Sequence, residues 1–157
     1  MKKIFLSFSL IFALAITNFE PVFAKNPINI GLSRFKKEDR DVKNFNGVAS
    51  GGPIDVVITL GNTESLRFEG DAEAIATLIT EVVSNKLIIR PKNSWTSWAK
   101  KYENKKITAY VSAKTLKSLT MSGNGTMSVK GKIQENSLAA TLSGSGSITA
   151  SVDVNSF

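Results

Sequence analysis

Trp95, Trp98 and Tyr102 stand close together, interleaved with Lys100 and Lys101 and followed by Lys105 and Lys106. Aromatic faces offer flat, amphipathic platforms for sugar rings, and lysines are compact cations for carboxylate or phosphate. Residues 90–106 carry six Lys and Arg against Glu103 alone, a local charge of +5 in a chain of net +7. So concentrated a charge is more informative than a diffuse excess. Trp95, Trp98, Lys100, Lys101, Lys105 and Lys106 are therefore the candidate ligand-binding residues, for an envelope glycan or an anionic surface polymer. The competing reading has the tryptophans covering an open end of the core with the lysines solvated around them. Single-stranded nucleic acid would also suit aromatics among lysines, but the export signal described below excludes it as a partner.

Catalytic chemistry has little to work with. The chain has no histidine and no cysteine, so the commonest general base and the thiol nucleophile are missing, and no zinc-type cluster can form. Carboxylates alone can hydrolyse glycosides when two of them flank a cleft. Asp55 and Glu69 are the pair for that reading, yet both fall on the outward phase of their segments. Ser143 has no visible base partner. The expectation is no enzyme, no catalytic residue, no metal and no cofactor.

The elements that must position these residues read mostly as strands. Ile54, Val56, Ile58 and Leu60 alternate, as do Leu66 and Phe68; period two marks half-buried strands. With Gly61-Asn62-Thr63 between them, the two segments predict an antiparallel hairpin. Asp71 followed by Glu73, Ile75, Leu78 and Ile79 predicts one short helix with Asp71 as N-cap. Residues 81–89 return to strand around a turn at Asn85, whereas Pro91 to Lys106 lacks alternation and reads as a long loop. Ile107, Ala109 and Val111 alternate again. Phe45 and Val48 are the first expected core anchors, behind a polar leader at 25–41.

Two glycine-serine runs follow, Ser122-Gly123-Asn124-Gly125-Thr126 and Ser143-Gly144-Ser145-Gly146-Ser147. The pattern around them repeats at a fixed spacing, with Met121 matching Leu142, Met127 matching Ile148, Val129 matching Ala150 and Ile133 matching Val154. Fixed repeats of this size suggest stacked coils. Neither run has the Gly-x-Gly-x-x-Gly spacing between strand and helix that a dinucleotide loop needs, and neither has the aspartate of calcium-binding repeats. They read as turns.

Lys2 and Lys3, the apolar run from Ile4 to Ile16 and Val22-Phe23-Ala24 read as a secretory signal cleaved after Ala24. The run is short for a membrane span, and no later segment is long and apolar enough for one. Residues 1–24 are thus the expected signal peptide, leaving a single domain. Without cysteine, that domain has neither disulfide nor lipid-bearing cysteine, and packing must hold it.

Several of these segments together resemble a known family. Val42-Lys43-Asn44-Phe45-Asn46-Gly47-Val48 with Ser50-Gly51 resembles its opening motif, and Leu66-Arg67-Phe68-Glu69-Gly70-Asp71 its second strand and turn. Leu116-Lys117-Ser118-Leu119-Thr120-Met121-Ser122-Gly123 and Leu142-Ser143-Gly144-Ser145-Gly146 resemble its repeats. The family is the "putative autotransporter adhesin, head GIN domain" group, a domain of unknown function in exported bacterial proteins. The resemblance implies a right-handed β-helix-like domain in the cell envelope, of Bacteroidetes-type origin, with no established catalytic site. Members usually continue through further Ser-Gly coils, so the stop at Phe157 leaves either a minimal cap, an open edge or a truncated chain.

The sequence therefore predicts an all-β fold, a right-handed parallel β-helix or solenoid at 42–157 with an N-terminal β-hairpin and one short helix. It predicts an exported, non-enzymatic envelope domain, periplasmic or surface-exposed, that binds a glycan or other surface component. The alternatives are self-association through an open C-terminal coil, since an uncapped edge is a template for strand addition, or a polysaccharide-active enzyme using Asp55 and Glu69.

Overall fold

The computed structural model describes residues 35–156. The expected signal peptide at 1–24 and the first part of the expected leader lie outside the described residues. Eleven strands and two helices follow in order: β1 (Phe35–Arg40), β2 (Gly47–Gly51), β3 (Asp55–Leu60), β4 (Ser65–Asp71), α1 (Ala72–Ala76), β5 (Leu78–Val83), β6 (Lys86–Pro91), α2 (Trp95–Tyr102), β7 (Ile107–Ala113), β8 (Ser118–Ser122), β9 (Thr126–Ser137), β10 (Ala139–Ser143) and β11 (Ser147–Ser156).

The strands form two mixed sheets, β1-β4-β7-β3-β9-β11 and β10-β8-β2-β6-β5. Their inner faces share one core in which Val48, Ile54, Val56, Ile58, Phe68 and Met121 are fully enclosed. This corrects the expected right-handed parallel β-helix. β1 pairs with β4, β4 with β7 and β5 with β6, all antiparallel. A solenoid also stacks its coils in chain order. Here β2 and β3 lie between later strands, β2 between β6 and β8 and β3 between β7 and β9.

The expected hairpin of the third and fourth strands is likewise corrected, because β7 sits between them, parallel to β3 and antiparallel to β4. The tight hairpin is β5–β6, where Ser84 and Asn85 both take positive φ (49° and 61°). That backbone matches the twist of the flanking strands. The expected short helix is α1, with the Asp71 carboxylate accepting from Ala74 N–H at 3.0 Å, but Leu78 and Ile79 already belong to β5. The segment expected as a loop contains α2. Its Trp98 and Tyr102 are one turn apart, so both rings reach the core. Residues 35–40, placed in the expected leader, form edge strand β1.

The glycine-serine repeats pair in parallel, Met121 opposite Leu142 and Met127 opposite Ile148. The register then shifts between Thr149 and Ser151, so Ile133 meets Val152 and not Val154. The turns stack on one another through backbone hydrogen bonds, Gly52 N–H to Ser122 O (2.7 Å) and Gly123 N–H to Ser143 O (2.8 Å). Gly123 (φ +131°) and Gly144 (φ +110°) need glycine twice over. An added Cβ would lie 2.7 Å from Gly52 O at the first and 2.6 Å from Gly123 O at the second.

Candidate functional site

Helix α2 is fastened to α1 by polar links that use up much of the expected site. Trp98 is 5% exposed, and its Nε1–H donates to Thr77 Oγ1 at 2.7 Å. Tyr102 packs on Trp98 with ring centroids 5.1 Å apart and donates its hydroxyl to Glu73 Oε1 at 3.1 Å. Lys101 Nζ meets the same carboxylate oxygen at 2.7 Å. Hydrogen bonds from Lys101 and then Tyr102 hold Glu73 below the usual carboxylate range, and the same Glu73 bond raises the Lys101 ammonium. Lys105 Nζ lies 3.0 Å from Asp71 Oδ2.

The tryptophan face expected to stack on a sugar is thus turned inward at Trp98, and Lys101 and Lys105 are engaged with acids. Trp95 opens α2. Lys100 and Lys106 are exposed, and neither they nor Lys92 has an ion-pair partner among the described residues.

Exposed aromatics come from elsewhere. Phe35 of β1 is 66% exposed and Tyr110 of β7 40%. With Asn104, Lys105, Lys106, Gly70 and Asp71 they line a groove of about 350 Å³. A neighbouring groove of about 490 Å³ is lined by Asp39, Thr59, Ser65, Arg67, Tyr110 and Ser112, among others. Glu69 and Tyr110 belong to both. All of this lies on the outer face of the six-stranded sheet. Period two puts Arg67 and Glu69 outward because Leu66 and Phe68 point in. It puts Tyr110 outward because Ala109 and Val111 point in.

Sequence reasoning missed this face. Its signal was an aromatic on the outward phase of a strand, Tyr110, between Thr108 and Ser112. Across the sheet Tyr110 pairs with Arg67 on one side and Val57 on the other. Arg67 is itself held by Asp39, Nε to Oδ1 at 2.7 Å and Nη2 to Oδ2 at 3.2 Å. That bond lowers Asp39 and raises Arg67. Lys37 holds Glu69 at 3.0 Å.

Asp55 and Glu69 flank Thr108 in one cross-strand row, about 9.6 Å apart at ordinary strand spacing. Asp55 Oδ1 accepts from both the N–H (3.0 Å) and the hydroxyl (2.8 Å) of Thr126, which ties β3 to β9. Asp55 thus fastens β3 to β9, while Glu69, held by Lys37, lines both grooves. No group of three or more potential metal ligands occurs among the described residues, and no described helix is long and apolar enough to cross a membrane.

Two mixed sheets with an open, groove-bearing outer face define a β-rich domain. Residues 44–157 match the family described as "Putative auto-transporter adhesin, head GIN domain", and the chain belongs to it. The fold is similar to a solved structure described as a "putative adhesin" from Bacteroides fragilis, at 19% identity and TM-score 0.64, covering 77% of this chain and 55% of that one. It is also similar to one described as a "Putative lipid binding protein" from Parabacteroides distasonis (16% identity, TM-score 0.54, 76% and 59% covered). A third, described as a "putative adhesin" from the same organism, matches at 14% identity and TM-score 0.53, covering 79% and 68%. The chain spans little more than half the length of the first of these. No curated protein matches it in sequence. Family membership supports an adhesin-like assignment without a named ligand.

Proposed function

We propose that this chain is an exported, non-enzymatic adhesion-type domain of the cell envelope that binds an anionic glycan or similar acidic polymer beside α2. The observation that carries the reading is the trio Lys92, Lys100 and Lys106. These lysines flank or sit on α2 with no acidic partner among the described residues, in a stretch that carries most of the chain's net charge. Unpaired surface cations attract an acidic polymer over a Debye length of about 8–10 Å. The lack of histidine and cysteine and the engagement of Asp55 with Thr126 support a binding role over catalysis. Titration calorimetry with polygalacturonate tests the reading. A Lys92→Glu/Lys100→Glu variant is expected to bind at least tenfold more weakly, and added salt to weaken the parent. Undiminished affinity in that variant would overturn the site.

A second reading is association of two copies through the last coil. β10 and β11 stand at the ends of their sheets, each paired on one side only among the described residues. Leu142 (48% exposed) and Val152 (38%) lie on them, and Ala140, Ile148, Ala150 and Val152 line an apolar hollow of about 210 Å³ over Leu119 and Leu138. A two-fold axis would cover this patch with its own copy, the self-complementary arrangement of most homodimers. Light scattering of the parent and of Leu142→Lys decides it. A strict monomer at millimolar concentration sinks the idea.

A further inference from the structure

We infer that the outer face of the six-stranded sheet is a saccharide-binding track, centred on Tyr110, that takes an internal stretch of an extended acidic polysaccharide. The inference deepens the adhesion reading and rests on it, since it names where and how a glycan would lie.

The two grooves share Glu69 and Tyr110, so they form one furrow with the tyrosine at its middle. A ligand that fills both must pass over the ring. Tyr110 offers an apolar face with a hydroxyl at its rim, the combination that suits a sugar ring with its C–H face on one side and hydroxyls around its edge. The polar groups around it are fixed before any ligand arrives. Arg67 is clamped by Asp39 through Nε and Nη2, which leaves donors at Nη1 for a ligand. Glu69 is steadied by Lys37, and Ser112 Oγ by its bond to Thr63 O at 2.9 Å. Groups already held in place lose little freedom on binding.

Charge gives the track a direction. The groove on the Phe35 side holds the acids Glu69 and Asp71, paired with Lys37 and Lys105, and Lys106, which has no acidic partner among the described residues; a uronate or sulfate would be received at Lys106. Hydroxyl groups of Thr59, Ser65 and Ser112 line the other groove. Both grooves are open and mix polar with apolar lining, whereas an acyl chain calls for an enclosed apolar cavity. A furrow that continues on both sides of Tyr110 favours the middle of a chain over its terminus.

The test uses hexagalacturonate, monomeric galacturonate and maltohexaose in calorimetric titrations of the exported chain. Hexagalacturonate is expected to bind at least tenfold more tightly than the monomer. Tyr110→Ala should lower hexamer affinity at least tenfold, while Tyr110→Phe, which keeps the ring, stays within about threefold of the parent. Thermal melts of both variants should match the parent because the ring is on the surface. Hexamer binding that survives Tyr110→Ala but is lost in Lys92→Glu/Lys100→Glu overturns the track and leaves the lysine site standing. Failure of both hexamers to bind the parent overturns the track and the adhesion reading together.

Discussion

The Nε1–H of Trp98 donates to Thr77 Oγ1 at 2.7 Å, and Thr77 is the residue that closes α1. This bond makes the tryptophan a fastener between two helices. The same hydroxyl donates back to Ala74 O at 2.7 Å, so the indole completes a short chain of bonds into the α1 backbone. An aromatic so engaged is part of the core, whatever its basic neighbours suggest.

Trp98→Ala should accordingly cost about 3–5 kcal/mol, the usual loss for a large buried aromatic. Thr77→Val should cost about 1 kcal/mol, one buried hydrogen bond. Urea unfolding followed by circular dichroism measures both. Near-equal losses in the two variants would show that packing of the ring contributes little.

The docking of α2 should depend on pH through Glu73. Its pKa is lowered by Lys101 and then Tyr102. The contribution is therefore complete above the ordinary carboxylate value of 4.5 and is lost as pH falls through the depressed one. In a Trp95→Phe background, Trp98 emission should stay constant from neutral pH down to about 4.5, then shift red on further acidification. Glu73→Gln should flatten that acid step. An unchanged step would assign it to another carboxylate.

Gly123→Ala and Gly144→Ala should each destabilise by about 1–3 kcal/mol, the cost of holding a side chain at positive φ, with the carbonyl contact adding to it. Gly61→Ala serves as the control. Its added Cβ would find Ser112 Oγ at 3.8 Å, an ordinary contact, and the change should be near neutral. Melting temperatures rank the three.

Ser50→Ala should raise stability by about 1 kcal/mol. The Ser50 hydroxyl is buried with no hydrogen-bond partner among the described residues, and an unmet buried polar group carries a desolvation cost that alanine lacks. A lower melting point for the variant would reveal a partner for that hydroxyl in solution.

Individual strands were legible wherever one face is buried and the other wet. Val56 and Ile58 on β3 and Leu87 and Ile89 on β6 announce themselves by alternation. Partners were not legible, because period two says which way a side chain points and nothing about which strand lies beside it. For that reason β3 and β4, adjacent in sequence, were read as a pair that β7 in fact separates. Helix α2 was read as a loop because Pro91 to Lys106 lacks strand alternation, although the four-residue spacing of Trp98 and Tyr102 carries a helical signal. Phe35 escaped notice because β1 has no alternating apolar face, being an edge strand held by ion pairs such as Arg67–Asp39 and Lys37–Glu69.

The place of β2 and β3 in their sheets bears on how the chain comes to be folded. Gly47 lies beside Lys86 on one side and Ser118 on the other, so the earliest central strands wait for the latest residues. A ribosome delivers the N-terminal half first; within it β1 can pair with β4, β5 with β6 and β2 with β6, but β3 has neither of its neighbours and β2 still lacks β8. Formation of long-range pairs of this kind is slow. The domain is thus late-closing. It stays incomplete at its centre until β8 and β9 emerge, which give β2 and β3 their last neighbours.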